Sequence, residues 1–371
     1  MDGEDARHLD RARVLGERGW GRVHPNPMVG CVVVAGDEVV GEGWHREFGG
    51  PHAEVEALRA AGERARGATA FVSLEPCRHE GKTPPCTDAL VAAGVARVVF
   101  GAKDPGEHSG GGAGALREAG VRVTGPMYSD VEARAINPGF FHRATDRPWT
   151  VLKLAISLDA AVSRSADRPT PLSGPEAWAR VHRLRSGMDA ILVGAGTVRA
   201  DAPRLTVRGD FEPRTPPIRV VVDPGDGWFR RARASGLADS PGSLLDPEAP
   251  PVWVAVREDR AEARSQEMEG IRVLPVPGDR TGLDPRALLC RLREEKIDRL
   301  LCEGGAGWGR ALLDASLVDR LILVTAPVSL GPGAVSAPPF AEAQWRPARD
   351  PMRLGADIWC EWDHCDETEV G

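Results

Sequence analysis

Pro51-His52-Ala53-Glu54, answered by Glu75-Pro76-Cys77 and then by Cys86, is the stretch on which the reading of this chain turns. His52 offers an imidazole and the two cysteines offer soft thiolates. Three ligands with a fourth tetrahedral position open is the pattern of a catalytic rather than a structural zinc. Water fills such a position, and Glu54 is placed to take its proton and return it to a leaving amine. His-x-Glu alone is noise, and Pro-Cys is common in loops. Their succession matches the zinc nucleobase deaminase signature, which normally closes on Cys-x-x-Cys. Here a longer polar run, 78–85, separates the cysteines and must fold back for both sulfurs to reach one metal.

The surroundings read as alternating elements. A helix is expected over 7–19, with Leu9, Ala12, Val14 and Leu15 on its apolar side. Strand 30–35 turns at Gly36-Asp37 into a second strand at Val39-Val40. A helix from His52 to Arg66 would hold His52 and Glu54 in its first turn, aimed inward. Strand 70–74 delivers Cys77, and Cys86 starts a helix closed by Gly94, a position that lowers a thiol pKa. Strand 95–100 and helix 113–119 complete a sheet covered on both sides.

At 371 residues, two domains are expected, 1–145 and 146–371, joined by Ala144-Thr145-Asp146-Arg147-Pro148. The second half again alternates, with strands at 151–155, 190–193, 218–222, 252–256, 271–274, 299–302 and 320–324 and helices at 175–185, 285–295 and 308–315. Residues 203–217 and 224–251 read as surface loops. Trp359-Cys360 to Cys365 reads as a frayed tail with idle thiols, its ligand spacing being too tight for a known zinc pattern. Both halves are thus α/β.

A net charge of -7 argues against a nucleic-acid binder, which needs a basic surface, and leaves room only for local basic pockets. An editing deaminase would also want an aromatic-bearing basic groove, and aromatic residues are only 5%. No apolar run approaches the roughly 20 residues that span a bilayer, and the acidic N-terminus is unlike a secretory signal. The expected setting is cytoplasmic, with no membrane and no nucleic-acid partner. Seven scattered cysteines do not form a disulfide framework and suit a reducing compartment. A purely structural zinc module is disfavoured by the open fourth ligand position.

Two glycine-rich turns follow strands, Val193-Gly194-Ala195-Gly196-Thr197-Val198 and Cys302-Glu303-Gly304-Gly305-Ala306-Gly307. Glycine lets backbone approach a phosphate closely, and the next helix attracts its charge. Neither is a Gly-x-Gly-x-x-Gly fingerprint, and such turns are more often only turns.

Further stretches carry a resemblance: His24-Pro25-Asn26-Pro27, Val29-Gly30-Cys31-Val32, Gly41-Glu42-Gly43-Trp44-His45 and Gly81-Lys82-Thr83-Pro84-Pro85-Cys86 in the first half. Lys153-Leu154-Ala155, Ser157-Leu158-Asp159, Asp189 to Gly194, Thr197-Val198, Asp201, Leu205-Thr206-Val207-Arg208, Val222-Asp223 and Glu303-Gly304-Gly305 carry it through the second. The chain resembles the bifunctional riboflavin-biosynthesis deaminase/reductases. The resemblance implies a cytidine-deaminase-like domain followed by a dihydrofolate-reductase-like α/β domain, with Zn2+ and NADPH as cofactors. The implied substrate is a diaminopyrimidinone ribosyl phosphate, deaminated and then reduced from ribosyl to ribityl, and the implied assembly is a homo-oligomer.

By family position, Asn26, His45 and Lys82 would bind substrate in the deaminase half, and Lys153, Ser173, Asp201, Arg208 and Glu303 in the reductase half. Ala155, Gly194, Gly196, Thr197, Gly304 and Gly305 would line the cofactor. Alternatives stand beside these: Asn26 as a turn residue, His45 as a satisfied surface histidine, Lys82 as a solvated loop cation. The chain also departs from the family. Ala160-Ala161 stands for Gly-Arg, Pro171 for Trp, Ser173 for Thr, Ala202 for Asp, and 106–112 replaces an Asn and a single Gly-x-Gly. A zinc deaminase with a lapsed reductase-like domain is therefore the alternative.

Overall fold

Period-two burial writes the first sheet. The computed structural model describes residues 3–79, 84–168, 170–224, 244–246, 248–268, 270–280, 282–341 and 344–365, and the chain divides into Met1–Arg143 and Ala144–Gly371. The first unit contains α1 (Gly3–Gly16), β1 (Gly30–Ala35), β2 (Glu38–Trp44), α2 (Ala53–Ala61), β3 (Thr69–Leu74) and α3 (Cys86–Ala92). β4 (Arg97–Ala102), α4 (Gly112–Glu118), β5 (Arg122–Thr124), α5 (Asp130–Ile136) and α6 (Pro138–Phe141) follow. The sheet order is β2-β1-β3-β4-β5. β1 pairs antiparallel with β2 and β3, while β3, β4 and β5 run parallel.

Cys31, Val33, Ala70, Val72 and Val98 pack on one face with Ala53, Ala57, Leu90 and Leu116. Val32, Val34, Phe71 and Val99 pack on the other with Ala12 and Leu15 of α1. Each fully buried Val or Leu contributes about 1.5–3 kcal/mol over exposure. α2 lies on β2 backbone to backbone: a Cβ on Gly41 would sit 2.2 Å from Ala57 O, and one on Gly43 2.4 Å from Ala57 N. α2 is shorter than the helix expected from His52 to Arg66. Gly62, at φ 56°, ends it, and a 3-10 turn takes Gly62–Ala65. His52 is its N-cap residue, outside the first turn.

The second unit contains β6 (Trp149–Ile156), β7 (Ala161–Ser163), α7 (Pro175–Ser186), β8 (Ala190–Gly194), α8 (Ala195–Asp201), β9 (Ile218–Val222), β10 (Val252–Arg257), α9 (Ala261–Glu267) and β11 (Arg272–Val276). α10 (Pro285–Glu294), β12 (Arg299–Cys302), α11 (Ala306–Asp314), β13 (Arg320–Thr325), β14 (Val335–Ser336), β15 (Trp345–Pro347), β16 (Met352–Leu354) and β17 (Asp357–His364) follow. The sheet runs β11-β10-β9-β8-β12-β6-β13-β17-β15, with β16 also on β17. The strands from β11 to β13 are parallel; β17 is antiparallel to β13. Leu152, Leu154, Leu192, Val220, Leu300 and Leu321 form one core face with Leu288, Leu289, Leu292 and Leu312 of the helices. Inserting β12 between β8 and β6 reverses the strand order there, and ligands of open α/β sheets bind outside the strands' carboxyl ends at such a point.

The expected frayed C-terminus is corrected. Residues 357–364 form β17, six residues of which pair with β13. Asp357, Trp359, Glu361 and Asp363 alternate into the interior, with Trp359 only 1% exposed. Acids at inward positions hid the strand, and arginines neutralise them. Arg320 bonds Asp363 at 2.7 and 3.1 Å, and Arg349, Arg180 and Arg320 reach Glu361 at 3.0, 3.4 and 3.6 Å. β7, β14, β15, β16, β5, α5 and α8 also went unread, most being too short to show a period.

Candidate active sites

In the first unit, α2 presents His52 as its N-cap and Glu54 in its first turn, Cys77 stands three residues after β3, and the first residue of α3 is Cys86. His52 Nδ1 stands 3.1 Å from Cys86 Sγ and 3.5 Å from Cys77 Sγ. All three donor atoms lie within 4.8 Å of one another. Ordinary zinc bond lengths give tetrahedral nitrogen–sulfur edges of roughly 3.6 Å, so one imidazole and two thiols at these separations fit a zinc ion. The two cysteines meet as a shared metal requires: Cys86 N–H approaches Cys77 Sγ at 3.5 Å, and Thr87 N donates to Cys77 O at 3.2 Å. A hydrogen bond from the Cys86 thiol brings Cys77 down to about 4, despite burial, with His52 assisting. The same bond pushes Cys86 up, and the Cys77 thiolate raises His52. Glu54 is 3% exposed. Burial raises its carboxyl above the ordinary range, partly offset by His52, which suits a group that both takes and gives a proton.

His52, Glu54 and Cys77 line a cleft of about 440 Å³ that Asn26, His45, Asp104 and Phe140 also line, within the size of small-molecule sites. His45 is no surface residue, being 2% exposed. Its Nδ1 lies 2.9 Å from Pro51 O, a pure acceptor, so the proton is assigned to Nδ1 and Nε2 accepts from Asn26 Nδ2 at 3.1 Å. Burial lowers its pKa and keeps it neutral. Lys82 lies outside the described residues.

Sequence reasoning missed Glu75. It is 4% exposed, and its carboxylate accepts from Asp104 N at 3.3 Å and Ala113 N at 3.0 Å. The divergent 106–112 loop is thereby fastened to the segment that carries Cys77. Gly106, Glu107, His108 and Ser109 line the cleft, and a Cβ on Gly112 would collide with Pro76 O at 1.8 Å. The signal was available, because Glu75 precedes Pro76-Cys77 directly.

In the second unit some of the expected residues lie on β6 and directly after β8 and β12. Glu303 follows β12, and Gly304 faces the end of β8, a Cβ there meeting Gly194 N at 3.0 Å. Gly305 N donates to Thr197 Oγ1 at 3.0 Å. Gly194, Thr197, Gly304 and Gly305 therefore come together; Gly196 is exposed in α8 and Ala155 half-buried on β6. Lys153 is 8% exposed, its Nζ 5.7 Å from the Trp178 ring centroid. Burial lowers Lys153, with Glu303 opposing and Arg185 adding to the shift. Asp201 ends α8, exposed, and Ser173 immediately precedes α7's N-cap Gly174.

Two further residues went unread. Arg185 grips Glu303 with Nε to Oε1 at 2.6 Å and Nη2 to Oε2 at 2.7 Å, and donates from Nη1 to Thr206 O at 2.9 Å. Burial alone would raise Glu303, but Arg185 and then Lys153 hold it below the ordinary carboxylate range. His182 Nδ1 accepts from Arg208 N at 3.2 Å, and burial with Arg185 and Arg208 brings His182 down to about 4. The helical spacing His182-x-x-Arg185 puts both on one face of α7 and was the available signal. Arg185 couples electrostatically to Lys153 on one side and to Arg208 on the other, a run of cations of the kind that suits a phosphate ester. Two departures fall at strained positions: Ala160 at φ 54° and Ala202 at φ 41° occupy left-handed backbone, which glycine or aspartate adopts more readily.

Comparison with known proteins covers both units. The cytidine and deoxycytidylate deaminase zinc-binding region matches residues 3–102, and the RibD C-terminal domain matches residues 148–348. The riboflavin biosynthesis protein RibD of Escherichia coli (strain K12) is 41% identical over 346 residues, spanning 89% of this chain and 90% of that protein. Its counterpart in Aquifex aeolicus (strain VF5) is 36% identical over 332 residues, 89% of this chain and 88% of that one. Among solved structures, Acinetobacter baumannii RibD, form 1, superposes with a TM-score of 0.74 at 34% identity, covering 98% of this chain and 99% of that one. A Thermotoga maritima diaminohydroxyphosphoribosylaminopyrimidine deaminase/5-amino-6-(5-phosphoribosylamino)uracil reductase gives 0.76 at 30% identity, covering 97% and 99%. No helix of the described residues is long and apolar enough to cross a membrane.

Proposed function

This chain belongs to the RibD family of bifunctional deaminase/reductases of riboflavin biosynthesis, and from that premise we propose how its residues divide the work. His52, Cys77 and Cys86 hold zinc, and Glu54 is the proton shuttle. The observation that carries this is the 3.1 and 3.5 Å spacing of the three donors beside a buried carboxyl in one cleft. When bound, zinc supplies the Lewis acidity that activates water near neutral pH. Glu54 takes the proton of the attacking water and delivers it to the departing amine. With Nδ2 committed to His45, Asn26 addresses the diaminopyrimidinone ring through Oδ1. Lys82 serves the ribosyl phosphate.

In the second unit Lys153 and Arg208 hold the phosphate and the opened sugar's oxygens, and Ser173, Asp201 and Glu303 bind hydroxyls. Ala155, Gly194, Gly196, Thr197, Gly304 and Gly305 line NADPH, which supplies the hydride that turns ribosyl into ribityl. The reading includes a cytoplasmic homo-oligomer, for which family resemblance is the support.

Incubating the purified protein with the diaminopyrimidinone ribosyl phosphate tests this reading. Ammonia release without NADPH, then one NADPH oxidised per ribityl product, is expected. Absence of ammonia release overturns the deaminase assignment. Ammonia release with no oxidation of NADPH or NADH leaves a deaminase with a lapsed second unit.

A further inference from the structure

β17 contributes more than packing. Its first residue, Asp357, is 2% exposed, and its carboxylate Oδ2 accepts from Gly174 N at 2.7 Å. Gly174 is the N-cap residue of α7, the helix that carries Trp178, His182 and Arg185, and it follows Ser173 directly. The inward face of β17 looks toward this helix, since Arg180 of α7 stacks on Trp359 at 5.8 Å and pairs with Glu361 at 3.4 Å. The charged groups acting on buried Lys153 are Glu303, Arg185 and Asp357. Trp178 covers Lys153 from α7, and Glu176 stands near the same turn, 3.8 Å from where a Cβ of Gly174 would be.

We propose that Asp357 is a positioning residue of the reductase reaction, seating the Ser173-Gly174 turn through its hydrogen bond and adding its negative charge to that of Glu303 around Lys153. The first role is geometric: without the acceptor, the start of α7 and the Ser173 hydroxyl lose their anchor to the sheet. The second is electrostatic. Burial and Arg185 both disfavour the Lys153 charge, and Asp357 joins Glu303 in favouring it.

The inference rests on the reading of Lys153 and Ser173 as reductase residues, and the test separates the two. Asp357→Asn keeps a neutral acceptor for Gly174 N and removes the charge. In the full-length protein its reductase kcat/KM should fall about tenfold near pH 8. Because the lost anion favoured protonated Lys153, the decline of activity with rising pH should begin at lower pH. Asp357→Glu should restore the wild-type decline, and ammonia release should match wild type in both. A soluble Asp357→Asn with wild-type kcat/KM and pH profile overturns the proposal. Asp357→Ser, also neutral, is the second variant, and failure of both neutral forms to fold assigns Asp357 a purely structural role, which overturns it too. Wild-type protein with no reductase activity would instead sink the underlying assignment.

Discussion

Arg185 and Glu303 meet as a two-pronged pair, guanidinium nitrogens 2.6 and 2.7 Å from the two carboxylate oxygens, with side chains 4% and 8% exposed. Removing one member strands the other. Arg185→Met should therefore cost about 3–5 kcal/mol, the penalty for an uncompensated buried charge. It should lower the thermal midpoint of the second unit and abolish reduction while sparing ammonia release. Calorimetry with separate assays of the two reactions checks this; unchanged unfolding would show that Glu303 is solvated or re-paired.

His182 makes stability depend on pH. Its folded pKa is about 4 against an ordinary 6.5, so between those values the unfolded chain holds a proton that the folded chain lacks. Stability then rises with pH across that window and is lost as pH falls. Urea unfolding between pH 4 and 6.5 should show this slope, and His182→Gln should reduce it. Equal slopes in the two proteins would mean that His182 titrates normally.

Glu54→Gln should keep one zinc per chain and lower ammonia release by a factor of about 10²–10⁴, the usual share of a positioned acid–base group. Elemental analysis and an ammonia assay read the two quantities separately. Activity within threefold of wild type would remove Glu54 from the proton path.

Trp359→Ala should destabilise the second unit by about 3–5 kcal/mol, the typical cost of emptying a large aromatic site. The reason is its place in β17, inside the sheet, at 1% exposure. A change under 1 kcal/mol in denaturant unfolding would return the C-terminus to the status of a loose tail.

The cluster of His52, Cys77 and Cys86 beside Glu54 was legible because such chemistry is carried by residue type, and this succession is the signature of a zinc site. The strands at 30–35, 190–193 and 320–324 were legible because valine, isoleucine and leucine runs are hard to read otherwise. β17 was not, since its inward positions are Asp357, Glu361 and Asp363, and only Arg320, Arg349 and Arg180, distant in sequence, make them tolerable inside. The surface alternative for His45 stood open for a similar reason. Its burial depends on Pro51 and Asn26, partners that composition does not announce.

Gly41 and Gly43 give the deaminase cleft a rigid datum. With no side chain interposed between α2 and β2, the height of His52 and Glu54 above the sheet is set by main-chain radii, which neither rotamer changes nor drift at neighbouring positions can alter. Variation is left to the opposite wall, 104–113, which hangs from Glu75 by two amides. The catalytic wall of the cleft is thus fixed by backbone contact, and the wall at 104–113 by two hydrogen bonds to one carboxylate.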